Sequence, residues 1–240
     1  MRQAGRIVAE TLNVVSEKIR PGLTTADLDR MIDAEIRKRG ATPSFLGLYG
    51  FPGSACISVN EEVVHGIPGK RVLHEGDVVK LDAGAFYRGF HGDGAWTFPV
   101  GKTRPEIERL LEVTQTALFK GLAQIKPDGR TYDIVRAIQS YVEGQGMNLA
   151  RDLTGHGVGR HLHEQPDIPN WLPDTGSKPR NYRLRPGMTF AVEPMVISGG
   201  WETYVRPDKW TVVSYDRSWS AHFEHTVAVT EKGYEILTLP

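Results

Sequence analysis

The sequence predicts an α+β fold, antiparallel sheet covered by helices, built as two similar halves. Three observations predict it. Helical patterns followed by strand-like patterns occur twice along the chain. Ile19-Arg20-Pro21…Thr25-Ala26-Asp27-Leu28 recurs as Ile125-Lys126-Pro127…Thr131-Tyr132-Asp133-Ile134, an offset of 106 residues, and Gly76–Asp82 aligns with Gly187–Glu193 at an offset of 111. In the second alignment an acid falls on an acid. Loops tolerate length change better than the elements they join, so a small drift between offsets is ordinary. The chain is therefore expected to be one domain, 1–240, with halves of about 1–100 and 101–240 and a site between them.

Each element follows from local signals. In the opening segment Ile7, Ala9, Leu12, Val15 and Ile19 form a helical stripe that stops at Pro21-Gly22. Thr24 or Thr25 caps a second helix, Leu28, Met31, Ile32 and Ile36 supply its apolar face, and Gly40 ends it. Segment 41–56 reads as loop. Short strands follow at 56–60 and within 71–86, then a hairpin ending near Phe98. Thr103 with Glu106 forms a capping box, with Pro105 at the start, for a helix through Leu110, Leu111, Ala117 and Leu118. Another helix begins near Thr131. Residues 164–186, rich in proline and polar side chains, read as one long loop.

Composition narrows the function. The 240 residues are 40% hydrophobic and 24% charged, an ordinary globular balance. Lys plus Arg and Asp plus Glu number 29 each, so no bulk attraction to nucleic acid or to a membrane is implied. The opening segment has no signal-like or spanning apolar run, which leads to the expectation of a cytoplasmic protein. Cys56 is the single cysteine, consistent with a reducing compartment, and reads as packing rather than as a nucleophile.

The chemistry begins at Leu81–Phe98, where two apolar runs each carry one acid, Asp82 and Asp93. A two-residue loop at Tyr87-Arg88 places these acids directly opposite, with β carbons about 4.5–5.5 Å apart. Two carboxylates so close repel by about 4 kcal/mol at a surface-like dielectric and need a cation or a shared proton. The pair reads equally as a metal site or as turn-flanking acids on a solvated edge. A one-residue bulge would separate their faces.

The second half offers more candidates. His156 lies in Gly155–Gly159, where glycines let the backbone approach a bound group; alone it also reads as a structural histidine, and the run is too short for a phosphate loop. Glu193 sits in an apolar frame and is costly to bury without a partner. Glu224 lies in the strand-like stretch 221–230, where His222 shares its face and His225 faces away. Carboxylates in three separate strand-like segments have metal as their common explanation. Four carboxylates and one imidazole form an oxygen-rich set suited to manganese, iron, cobalt or zinc, and two divalent ions would neutralise it.

At this point Asn60–Pro68, Lys80–Ala85, His91–Phe98, Leu153–Pro166, Met188–Met195 and Ser220–Thr230 together resemble the methionine aminopeptidases over nearly the whole chain. Only 29 residues separate His163 from Glu193, with no room for the helical insertion of the type II enzymes, so the resemblance is to type I and to its short bacterial-style forms. The resemblance implies the pita-bread fold and two divalent ions per chain. It implies that Asp82 binds one ion, that Asp93 and Glu224 bridge both, and that His156 and Glu193 complete the other. Glu193 is then the proton shuttle, and His65 and His163 contact substrate. Phe51, Cys56, His65 and Trp210 fall at positions of the methionine pocket, while Leu48 and Leu162 stand where aromatic residues are expected and imply a wider pocket.

The implied activity is removal of the initiator methionine from nascent chains, preferably before a small second residue. Nascent peptide N-termini are the implied partners, with transient ribosome association, no specific nucleic acid, no membrane and a monomeric chain. Two other readings stand beside it: an Xaa-Pro aminopeptidase or dipeptidase of the same fold, and a non-catalytic homologue that binds ribosome or nucleic acid. His161 and His163 also form an H-x-H-E string without the i, i+4 spacing of a helical zinc motif.

Overall fold

A computed structural model describes residues 1–240. Four helices, α1 (Arg2–Ser16), α2 (Thr25–Lys38), α3 (Pro105–Leu122) and α4 (Thr131–Gly144), lie against strands that pair antiparallel throughout. Helix α1 buries Ala4, Val8, Leu12 and Val15, one residue per turn, against the hairpin of Val78–Tyr87 and Phe90–Pro99. Close approach there requires glycine: a β carbon on Gly92 would fall on the backbone of Ala4 and Gly5.

Thr24 caps α2. Its hydroxyl accepts the Asp27 N–H at 3.1 Å while the Asp27 carboxylate accepts the Thr24 N–H at 2.7 Å. Thr25 is instead buried and bonded to Gly69. The expected cap of α3 is corrected. Arg104, not Thr103, is the N-cap, because the residue before a proline is held extended, here at φ −81°, ψ 152°, and the helix can start only at Pro105.

The repeat is physical. Helices α2 and α4 are both 14 residues long, and the Arg130 N–H donates to Asp133 at 2.8 Å as Thr24 does to Asp27. Gly22 N–H donates to the Leu73 carbonyl and Leu73 N–H to Leu23; in the second half Asp128 N–H donates to Leu184 and Leu184 N–H to Gly129. Isolated bridges join Thr24 to Val72 and Arg130 to Arg183.

In the first half Val78–Tyr87 is central, flanked by Phe90–Pro99 on one side and by Cys56–Val59 and Thr42–Pro43 on the other. A five-stranded sheet in the second half runs Gly233–Ile236, His225–Thr230, Thr189–Val192, Thr154–Gly157 and Glu164–Pro169. Residues 164–169, expected as loop, thus form an edge strand. The edge position tolerates Pro166 and Pro169, because one side of the strand has no ladder to complete. Two three-stranded sheets complete the fold: Ser220–His222, Met195–Ile197 and Asn148–Leu149; and Thr203–Val205, Val212–Ser214 and Glu62–Val64.

The core has two parts. Val8, Leu28, Ile32, Ile57 and Leu81 belong to a cluster under α1 and α2, and Leu110, Leu118, Ile134, Ile138 and Phe190 to one under α3 and α4. Trp96 packs against both. Each fully buried side chain of this size contributes about 1.5–3 kcal/mol. No helix is long and apolar enough to cross a membrane.

Candidate metal centre

The turn of the first-half hairpin is Arg88-Gly89, with φ of 48° and 86°. Both central residues of a type I′ turn need positive φ, and Gly89 supplies one at no cost, whereas a loop at Tyr87-Arg88 would force the aromatic residue there. The register therefore pairs Asp82 with Ala95 and Gly84 with Asp93. This corrects the expectation that the acids lie directly opposite. They are diagonal neighbours on one face, about 7–8 Å apart at Cα. At that distance repulsion is about 2 kcal/mol at a surface-like dielectric.

Glu193 and Glu224 owe their positions to strand breaks. Val192 pairs with His225 in the five-stranded sheet and Met195 with His222 in the neighbouring one, leaving Glu193-Pro194 and Phe223-Glu224 in the gap. The stretch 221–230 is thus two strands rather than one. Pro194 has no N–H to give a ladder, and Asn170 Nδ2 donates to the freed Glu193 carbonyl at 2.9 Å. Backbone bonds stitch the acids of the two halves together: Glu224 N–H donates to the Ala95 carbonyl at 2.8 Å, and Thr226 Oγ1 bonds both the N–H and the carbonyl of Asp93. Lys80, fully buried, adds a tie by donating Nζ–H to the carbonyls of Asn60 and Ser220.

His156 enters from the strand Thr154–Gly157. Its Nδ1 lies 2.9 Å from the Gly157 carbonyl and donates to it, which leaves Nε2 as a free lone pair 3.7 Å from Asp93 Oδ2 and 3.5 Å from Glu193 Oε1. The flanking glycines serve packing, not approach to a bound group. A β carbon on Gly155 or Gly157 would stand 2.5 Å from the Ala191 or Gln165 carbonyl oxygen. Ligating atoms of Asp93, His156 and Glu224 all lie within 4.8 Å of one another, as do those of Glu193, His222 and Glu224.

All four carboxylates are buried, and Asp93 Oδ1, Glu193 Oε1 and Glu224 Oε1 have no hydrogen-bond partner. Burial first, and then mutual repulsion, raises Asp82, Glu193 and Glu224 well above the usual carboxylate range, and burial pushes Asp93 up to about 7. Burial lowers His156 to about 4, so its imidazole is neutral. Buried carboxyl oxygens without donors, grouped around a neutral imidazole, lack one thing, a cation.

A cavity of about 400 Å³ opens on this cluster. Every residue that the family resemblance assigns to metal, substrate or the methionine pocket lines it: Asp82, Asp93, His156, Glu193, Glu224, His65, His163, Leu48, Phe51, Cys56, Leu162 and Trp210. At its apolar end Phe51 meets Trp210 edge-on at 5.1 Å between centroids. Cys56 pairs with Asp82 across neighbouring strands, and burial followed by that carboxylate pushes its thiol pKa well up. His163 stands 4.3 Å from the His156 ring, with Tyr49 stacked on its other side. His65, at φ 58°, is open to the cavity yet crowded enough by protein that its pKa falls below that of a free imidazole. His161 lies outside the cavity lining, and its N–H donates to Glu164, which closes the loop. A smaller cavity of about 180 Å³ touches Glu224 from behind and holds none of the other acids.

Sequence reasoning missed Phe45, Tyr49, Leu153, Asp167 and Met195 in the lining, and His222 beside Glu193. Only His222 carried a signal, through its shared face with Glu224.

A family model described as metallopeptidase family M24 matches residues 1–231. Methionine aminopeptidase 1 of Bacillus subtilis is 50% identical over 238 residues, 99% of this chain and 94% of that protein. The methionine aminopeptidase of Clostridium perfringens is 49% identical over 239 residues, 100% and 94% of the two chains. The crystal structure of methionine aminopeptidase from Thermotoga maritima superposes with a TM-score of 0.94 at 46% identity, covering 100% of this chain and 95% of that one. A prolidase from Pyrococcus furiosus, at 21% identity and a TM-score of 0.80, covering 100% of this chain and 62% of that one, shares the fold alone.

Proposed function

The chain belongs to metallopeptidase family M24 and has its pita-bread fold, and from that premise we propose that it hydrolyses the N-terminal methionine from peptides and nascent polypeptides, preferring a small second residue. One observation carries the reading. Asp82 and Asp93 from one half and His156, Glu193 and Glu224 from the other meet at one end of a cavity whose other end is soft and apolar.

The family implies divalent metal, and the residues fit it: four buried carboxylates, three of them with an orphaned oxygen, and one neutral imidazole. Asp82, Asp93 and Glu224 would hold one ion and Asp93, His156, Glu193 and Glu224 a second, with cobalt, manganese, iron or zinc suited to the donors. Bound there, the ions supply Lewis acidity toward the scissile carbonyl and water acidified toward neutral pH. Glu193 takes a proton from the attacking water and returns it to the nitrogen of the departing peptide. His65 and His163, held neutral, donate ring N–H groups to the substrate carbonyl oxygen as it gains charge. Phe51, Cys56, Leu48, Leu162 and Trp210 take the methionine side chain, and the two leucines leave that pocket wider than aromatic residues would.

The whole chain acts as one catalytic unit, since both halves supply ligands. It works as a monomer in the cytoplasm on chains emerging from the ribosome, with transient ribosome contact and no specific nucleic acid. The Xaa-Pro reading is less supported, because the proline-specific enzymes match only at the level of fold, whereas curated relatives at 43–50% identity are named methionine aminopeptidases. A non-catalytic homologue fits poorly with five ligands in place. Assay of Met-Ala-Ser beside Ala-Pro peptides separates these readings. Methionine release without Xaa-Pro cleavage is expected, and the reverse pattern overturns the proposal.

A further inference from the structure

We propose that His222 is a positioning residue, donating its Nε2–H to Glu193 and fixing that carboxylate for proton transfer. This rests on the reading of Glu193 just given. His222 is 1% exposed, and neither ring nitrogen has a partner. Its Nε2 lies 3.6 Å from Glu193 Oε2. The other buried imidazoles near the centre are tied at Nδ1, His156 to the Gly157 carbonyl and His225 to Thr238 Oγ1. An untied imidazole at this depth is a cost the fold carries unless a partner arrives.

Glu193 is that partner. Its side chain has a second, orphaned oxygen, and a shift of about 0.8 Å brings Oε2 into the 2.7–2.9 Å range of a charge-assisted bond. The backbone that carries the ring is tied on both sides. His222 N–H donates to Thr97 Oγ1 at 2.9 Å, and the Thr97 hydroxyl donates back to the His222 carbonyl at 2.7 Å. His222 pairs with Met195 on the adjacent strand, two residues past Glu193, so the ring faces the strand break where the carboxylate sits. A neutral imidazole carries one ring N–H, and Nε2 is the nitrogen nearest the carboxylate.

The test compares His222→Gln, which keeps an N–H donor, with His222→Leu, which fills similar space without one. In His222→Leu we expect kcat to fall about 10–100-fold and manganese affinity, measured by calorimetry on stripped protein, to fall about 10-fold. KM should stay within about twofold, and His222→Gln should recover kcat to within about threefold of wild type. Unchanged kcat and affinity in His222→Leu, or equal loss in both variants, overturns the proposal. Should His222→Leu not fold, imidazole ¹⁵N spectra of the zinc-loaded wild type decide: an Nε2–H tautomer supports it, and an Nδ1–H tautomer or a zinc-ligated Nε2 overturns it. A wild type that releases no methionine removes the functional reading, while tautomer and affinity still decide His222.

Discussion

Stripping divalent metal should make the protein lose stability as pH rises from about 5 to about 8, a direction opposite to that of ordinary surface carboxylates. Asp93 sets the scale. Its folded pKa is about 7, against an unfolded value of about 3.9. A group whose pKa is raised on folding contributes stability that is complete below its unfolded value and lost as pH climbs through the folded one. Between about pH 5 and pH 7 the unfolded carboxyl is ionised while the folded one goes from protonated to half-ionised, so Asp93 alone removes about 2 kcal/mol of stability over that interval. In a chain of this size that is about 4–8 °C in Tm. Asp82, Glu193 and Glu224 shift in the same direction. The exposed acids with lowered pKa, such as Asp33 beside Arg37, act in the opposite sense and below about pH 4, outside this window. Thermal unfolding by circular dichroism at several pH values, on chelator-treated protein with and without saturating manganese, reads the effect. Manganese should abolish or invert the slope, because the ion binds the deprotonated ligands. A stripped protein whose Tm is flat or rises over this range refutes the uncompensated carboxylate cluster.

Three further outcomes follow from the same geometry. Glu193→Gln should lower kcat by about 10²–10⁴-fold while the protein still binds manganese in calorimetry, and retained turnover would end its role in proton transfer. Gly92→Ala should destabilise the fold by about 1–3 kcal/mol or more in urea titration, since the added methyl falls on the α1 backbone at Ala4-Gly5; a neutral result would mean that α1 can slide. The Cys56 thiol, buried and raised in pKa beside Asp82, should resist a disulfide reagent in the native protein and react on unfolding. Rapid native labelling would contradict that environment.

Much of the fold was legible because it is written in local chemistry. Asp27 and Asp133 each accept a backbone N–H at the third helical position, and that shared device made the repeat visible before any contact was known. The acids themselves were legible too, as charged residues within apolar frames. What the alternation of side chains hid was geometry set by distant partners. Nothing in the run from Ala221 to Thr230 signals that the strand changes sheets at Phe223-Glu224, because the switch is made by the pairing of Val192 and Met195 on the other strand. The hairpin register depended on recognising Arg88-Gly89 as the turn, and the strand Glu164–Pro169 was concealed by prolines that only an edge position permits. Tyr49 and Met195 reach the cavity through long-range packing, for which local sequence carries no signal.

The most direct test of the account follows bound metal and released methionine together as manganese is titrated into chelator-treated wild-type protein with Met-Ala-Ser. No release is expected from the stripped protein, and release should rise in step with occupancy of the Asp82, Asp93, His156, Glu193 and Glu224 cluster. Methionine release at full rate from metal-free protein, or saturating metal with no release, would contradict it.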